Sequence, residues 1–374
     1  MKSSPRRQRR SAILRQLGAS DAAHDALLAY NDAPHLDAAT LPDPLDLPLE
    51  AEPLVDAWSD YVARAAEVGA AQALREALVQ LHFPIREGIA KDPRYRAVTL
   101  KGDAPHVHAE LATGLALERE HELELTLHQS AAGPIPIIAC RHRRDFVALA
   151  RALAHRNEPV EIPPSQGALM IAGLNNWDRI RRYRRGWQAR AIDSSDAAWK
   201  LEFRRLVKQK ALFQDRLILL DDQPYSGVPA AELGLEDAAW REMSLVIRRE
   251  HECVHYLTTR VFGGMANNAL DELCADFVGI AAALGEYRAD WFLRFIGLER
   301  HPDAFRPGGR LEIYRADLDD EAFGLLQTLV ARAAHAVETR CRDEAIDLAD
   351  AAERTRVVLA LASSRLELIS EGEY

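Results

Sequence analysis

Hydrophobic and polar positions along this chain repeat with two periods, and the change from one to the other separates helical from strand-forming segments. From Pro53 to about His82, the apolar residues Leu54, Trp58, Tyr61, Val62, Ala65, Leu74 and Leu78 recur every three or four positions, which predicts an amphipathic helix. His121 to His128 switches to period two, Leu123, Leu125 and Leu127 alternating with Glu122, Glu124 and Thr126. The run PIPIIAC (Pro134 to Cys140) follows after the turn signal Ala-Ala-Gly-Pro, so two adjacent strands are expected. Residues 143 to 155 return to a helical period. GALMIAG (167 to 173) reads as a short strand, Asp193 to Phe213 contains a helix, and DRLILLDD (215 to 222) reads as a compact strand with acidic ends. After the polar connection QPYSGVP a long helix runs from about Glu236 to Phe262 and stops at Gly263 and Gly264, because a glycine just past the last turn takes the left-handed conformation. Asn268 is placed to cap the next helix, with Asp271 near its positive end. Two further helical stretches follow the loop at 301 to 310.

These elements give an α+β chain with an expected division near residue 166, in a loop containing Pro159, Pro163 and Pro164. Residues 1 to 47 combine the run Arg6, Arg7, Arg9, Arg10 with LPDPLDLP and read as a basic, Pro-rich arm whose arginines are solvated. Residues 48 to 165 read as a smaller α/β region, and 166 to 374 as a mostly helical domain with a small mixed sheet.

A chain of 374 residues, 48% hydrophobic and 28% charged, has ordinary globular composition, which excludes fibrous and low-complexity classes. The net charge of −10 argues against the molecule as a whole wrapping nucleic acid or adhering to an anionic membrane, although a local basic face could still do either. The basic start of the chain lacks the apolar core of a signal peptide, and its longest strongly apolar stretches, such as Phe277 to Leu284, fall far short of a membrane span. Four cysteines in so long a chain fit a reducing cytosol, so a soluble cytoplasmic protein is expected.

The chemistry is concentrated in the long helix, which contains His251-Glu252-Cys253-Val254-His255. Four residues is just over one helical turn, so both imidazoles project from one face and can bind one metal ion together. Glu252 sits about 100° round the helix, where its carboxylate can take a proton from water at the metal's open position. The next helix carries Glu272 and Asp276, four apart and again on one face. Glu272 is the candidate third ligand of a His2Glu zinc site, and Asp276 is free to accept the other ring N–H of a ligand histidine. Cys253 and Cys274 are rotated away from this face and read as small core residues.

His251, Glu252, His255, Glu272 and Asp276 together resemble the H-E-x-x-H and E-x-x-x-D pattern of the gluzincin zinc metallopeptidases. The resemblance covers about Ala238 to Ile280, with a spacer slightly shorter than in the thermolysin-like members. It implies a zincin-like catalytic domain with Zn2+ held by His251, His255 and Glu272, Glu252 as general base, Asp276 behind His251, and a peptide or protein substrate. It also implies a sheet above the motif helix with a substrate-binding edge strand, for which DRLILLDD is the candidate. Tyr314, Arg310, His301 and His335 are candidates for an oxyanion donor.

Two other readings use the same residues. One is a zincin-like binding or regulatory protein without peptidase activity. The other is a carboxylate-bridged iron enzyme built on Glu252-x-x-His255, for which the sequence offers no second helical E-x-x-H. Elsewhere, Arg179 to Arg190 interleaves arginines with Tyr183 and Trp187 and could meet nucleic acid, but a helix with packed aromatics and solvated arginines explains it better. His106 and His108 read as surface residues.

Overall fold

The computed structural model describes residues 5–32, 45–264 and 268–374. In chain order its principal elements are α1 (Pro5–Gln16), α2 (Asp21–Tyr30), α3 (Val55–Val68), α4 (Ala70–Ala77), α5 (Pro93–Lys101), β1 (Glu124–Ser130), β2 (Gly133–Cys140), α6 (Arg143–Leu153), β3 (Ala168–Asn175), α7 (Trp177–Gln188), α8 (Asp196–Leu206), β4 (Gln214–Asp221), α9 (Asp237–Phe262), α10 (Ala269–Leu284), α11 (Ala289–Ile296), α12 (Asp320–Asp343), α13 (Ala351–Ala362) and α14 (Leu366–Ile369). Helix dominates, and a small mixed sheet makes the chain α+β.

The chain forms two compact units, Glu50–Gln223 and Met1–Leu49 with Pro224–Tyr374. The expected division near residue 166 is therefore displaced. That loop lies between α6 and β3, and β3 and β4 are hydrogen-bonded into the same sheet as β1 and β2. The sheet order is β1-β2-β4-β3, with β2 and β4 parallel and the outer pairs antiparallel. DRLILLDD is thus an interior strand and not the expected edge, and it lies in a different unit from the motif helix. Its physical signal was already in the letters: Leu217 to Leu220 are consecutive buried residues, as in a strand covered on both faces, whereas a half-exposed edge alternates.

Two other expectations are corrected. The helix expected from Pro53 to His82 is broken at Gly69, whose φ of 86° starts a new direction for α4. The arginine run forms helix α1 and is not an irregular arm: Arg6, Arg7 and Arg9 are exposed, as expected, but Arg10 is buried against Glu367 of α14, and Arg9 pairs with Glu373. Residues 33–44, including the first half of LPDPLDLP, lie outside the described residues.

In the helical unit, α9 and α10 pack together, and α10 is buried at every position from Ala269 to Ala281. A helix buried on every side belongs at the centre of its unit, and its buried carboxylates Asp271, Glu272 and Asp276 then need partners there. Asn268 caps it by accepting from the backbone N–H groups of Leu270 and Asp271, as its position predicts. Gly279 sets how closely the two helices approach, since a Cβ there would lie 2.8 Å from the Ile247 carbonyl oxygen. Gly279→Ala is expected to cost about 1–3 kcal/mol of unfolding free energy through overpacking, read as a lower urea midpoint.

Candidate metal centre

α9 carries His251 and His255 one turn apart, and α10 lays Glu272 against them. The ligand atoms of these three residues lie within 4.8 Å of one another. The two imidazole Nε2 atoms are 3.0 Å apart, His251 Nε2 is 3.8 Å from Glu272 Oε2, and His255 Nε2 is 3.6 Å from Glu272 Oε1. Donors on one tetrahedral zinc ion, each about 2.0–2.1 Å from it, stand roughly 3.3–3.4 Å from each other. The observed separations bracket that value, so the donor set fits a single such ion in both chemistry and spacing.

The far side of His251 fixes which nitrogen faces the donor group. Its Nδ1 lies 2.8 Å from Asp276 Oδ1, so Nδ1–H donates to the carboxylate and Nε2 keeps its lone pair for a metal. Burial alone would lower the His251 pKa, but Glu272 and Asp276 outweigh it and the net shift is upward. Burial, reinforced by His251, pushes His255 well below the ordinary range and keeps its imidazole neutral, the form that ligates.

Asp276 is itself held from two directions. The Tyr225 hydroxyl donates to its Oδ1 at 2.5 Å, and Arg310 forms an ion pair with its Oδ2 while donating to the Tyr225 oxygen at 2.8 Å. Burial opposes ionisation of Asp276, but Arg310 and His251 hold its pKa below the usual carboxylate range. Tyr225 sits in a short turn before α9, pinned where its backbone N–H meets Ser244 Oγ and where Val228 accepts from the Trp240 indole. Ser226, the next residue, has φ 52°, an uncommon left-handed conformation that accompanies the sharp turn.

Glu252 lies beside the donor group and is partly accessible. Burial raises its pKa above the ordinary carboxylate value, with Glu272 adding to the rise and His251 opposing it. A carboxylate tuned upward is a better proton acceptor near neutral pH. Tyr314 lies close to Glu272, and burial followed by that carboxylate pushes its phenol far above the usual range.

Of the four oxyanion candidates, Arg310 and Tyr314 reach the centre. Arg310 Nη2 is 3.6 Å from Glu272 Oε2, and its buried Nε has no hydrogen-bond partner among the described residues. His301 and His335 instead line a separate pocket of about 490 Å³ with Thr328 and Arg332. All four cysteines are free and buried, in keeping with the reading of Cys253 and Cys274 as core residues. Tyr225 was not legible in the sequence, because a single tyrosine in a polar connection has no period and no motif partner.

The network predicts a graded loss of metal affinity. Tyr225→Phe and Arg310→Ala are each expected to weaken zinc binding by about 10–100-fold, with Arg310→Lys retaining part of it, measured by competition with a chromogenic chelator. An unchanged affinity in folded Tyr225→Phe protein would assign the hydroxyl to packing alone.

The fold and the site thus define an α+β protein whose helical unit presents a buried His-His-Glu donor group backed by an Asp-Tyr-Arg network. The chain belongs to a family described as of unknown function, DUF7005, whose model matches residues 12–373. No curated protein and no solved structure matches it. Among the described residues no helix is long and apolar enough to cross a membrane.

Proposed function

We propose that the protein is a zinc-dependent metallopeptidase of gluzincin type, with His251, His255 and Glu272 as ligands and Glu252 as general base. The observation that carries this reading is the convergence of two imidazole nitrogens and one carboxylate on a common point, with a second carboxyl of raised pKa next to them. Zinc, when bound, supplies Lewis acidity toward a scissile carbonyl oxygen and acidifies water. Glu252 takes one proton from the water whose oxygen adds to the carbonyl carbon. The same carboxyl then delivers that proton to the amide nitrogen as the C–N bond breaks, so the residue is restored at the end of the cycle. Asp276, Tyr225 and Arg310 keep His251 in its ligating tautomer throughout.

A second reading, a zincin-like binding or regulatory protein with a structural metal, is favoured by one observation: His251, His255 and Glu272 are all less than a tenth exposed. Closed coordination is typical of structural zinc, whereas a catalytic site keeps one position open. The two readings part on one experiment. Zinc-loaded protein is incubated with a denatured protein mixture and new N-termini are counted by mass spectrometry. The peptidase reading expects new termini that disappear with chelator and return with zinc. Intact substrate in the presence of stoichiometric zinc would contradict it in favour of the structural reading.

A further inference from the structure

Charge is unevenly placed along this acidic chain. Residues 177–210 carry eleven basic and four acidic side chains, so a molecule of net charge −10 bears +7 on this stretch and −17 elsewhere. The stretch is the helical hairpin α7–α8. Its aromatic residues point into it: Trp187 packs on Trp199 with ring centroids 5.5 Å apart, Trp199 on Phe203 at 5.8 Å, and the Tyr183 hydroxyl donates to Glu202 at 2.6 Å. Trp177, Ile180 and Leu206 root the hairpin in a buried cluster with Phe213. The aromatics that could have stacked on bases are therefore occupied in closing the hairpin.

The outward positions are of two kinds. Some arginines are neutralised within the unit, Arg182 by Asp60 and Asp178 and Arg184 by Asp196. Arg185, Arg190, Lys200, Arg204, Lys208 and Lys210 form no ion pair among the described residues. Large apolar side chains stand out between them: Ile192, in the connection between the helices, is fully exposed, and Leu201 on α8 is 60% exposed. Exposing an isoleucine in the connection of this hairpin gains nothing in water and nothing against a phosphate backbone. It gains free energy on entering an apolar layer. Cations flanking a protruding apolar residue are the composition of an interfacial anchor.

We propose that the α7–α8 hairpin docks on an anionic lipid surface, its unpaired lysines and arginines meeting headgroup phosphates and carboxylates while Ile192 enters between the headgroups. The acidic remainder of the molecule does not forbid this, because charges beyond a Debye length of about 8–10 Å are largely screened near physiological salt. The docking is peripheral and needs no spanning helix, and it is independent of the metal centre.

Sedimentation of the full chain with phosphatidylcholine vesicles, with or without about 30% phosphatidylserine, tests the proposal at low and high salt. At about 0.1 M salt, binding to the anionic vesicles is expected to be at least tenfold tighter than to the neutral ones, and to be lost near 0.5 M. Arg185→Glu/Arg204→Glu is expected to weaken it at least tenfold, and Ile192→Asp roughly tenfold. These side chains are exposed, and an unchanged circular dichroism melt shows that each variant is folded. Equal binding to both vesicle types, or none to either, overturns the proposal. So does unchanged affinity in Ile192→Asp, which would remove the insertion of the isoleucine, or tighter binding of a short DNA duplex than of the anionic vesicles, which would assign the cations to a polyanion other than lipid.

Discussion

Glu252→Gln protein is expected to retain its metal and to lose peptide hydrolysis, with kcat/KM falling about 10²–10⁴-fold. Glutamine matches glutamate in size, so the neighbouring His251 and His255 keep their places on α9 and the donor group with Glu272 is unchanged. What changes is proton affinity: an amide oxygen does not accept the proton that the attacking water must shed, nor can it hand that proton to the leaving amine. The burial that raises the Glu252 pKa makes the wild-type carboxyl a stronger acceptor and so enlarges the contrast. The check is a paired measurement of metal content and of the initial rate on a fluorogenic peptide mixture. Cleavage retained within a few-fold would remove Glu252 from the mechanism.

The second large effect is on stability and belongs to the sheet-containing unit. Asp215→Ala is expected to destabilise that unit by about 3–5 kcal/mol, the range for stripping one partner from a buried ion pair. Asp215 is 1% exposed, and its carboxylate receives Arg179 on one oxygen at 2.5 Å and Trp58 and Asn176 on the other at 2.8 and 2.7 Å. Burial raises its pKa despite these partners. Arg179 also donates to the carbonyls of Ala211 and Gln214, so the pair joins α7 to the entry of β4. Alanine would leave a buried guanidinium without a counter-charge and two buried donors without acceptors. Urea denaturation followed by tryptophan fluorescence reads the change, and a loss below about 1 kcal/mol would mean that water replaces the carboxylate.

The His-His-Glu donor group was far more legible in the sequence than the architecture around it, for physical reasons. His251 and His255 share a helix, and a four-residue spacing on a helix fixes a common face whatever else the chain does. Glu272 and Asp276 obey the same rule on α10, and the glycines and Asn268 mark where one helix stops and the next begins. Local rules of this kind also found the strands Glu124–Ser130, Gly133–Cys140, Ala168–Asn175 and Gln214–Asp221. Strand order is another matter. Whether β4 is flanked on one side or two depends on pairings across more than 70 residues, as between Ile137 and Ile218, which no local period encodes. The same limit hid the partners of Asp276, because Tyr225 and Arg310 come from segments 51 and 34 residues away. The arginine run shows the converse error. A basic, polar stretch reads as solvated until the chain supplies a buried carboxylate, here Glu367, to receive Arg10.

The central claim is that His251, His255 and Glu272 hold one zinc ion together, and metal stoichiometry tests it most directly. Protein stripped with chelator, reloaded with zinc and desalted is analysed by inductively coupled plasma mass spectrometry, alongside the variant His251→Ala/His255→Ala/Glu272→Ala. The account predicts about one tightly held zinc per wild-type chain, held by the donors His251, His255 and Glu272, and essentially none in the triple variant. A wild-type chain that holds no zinc, or a folded triple variant that holds as much as the wild type, would contradict it.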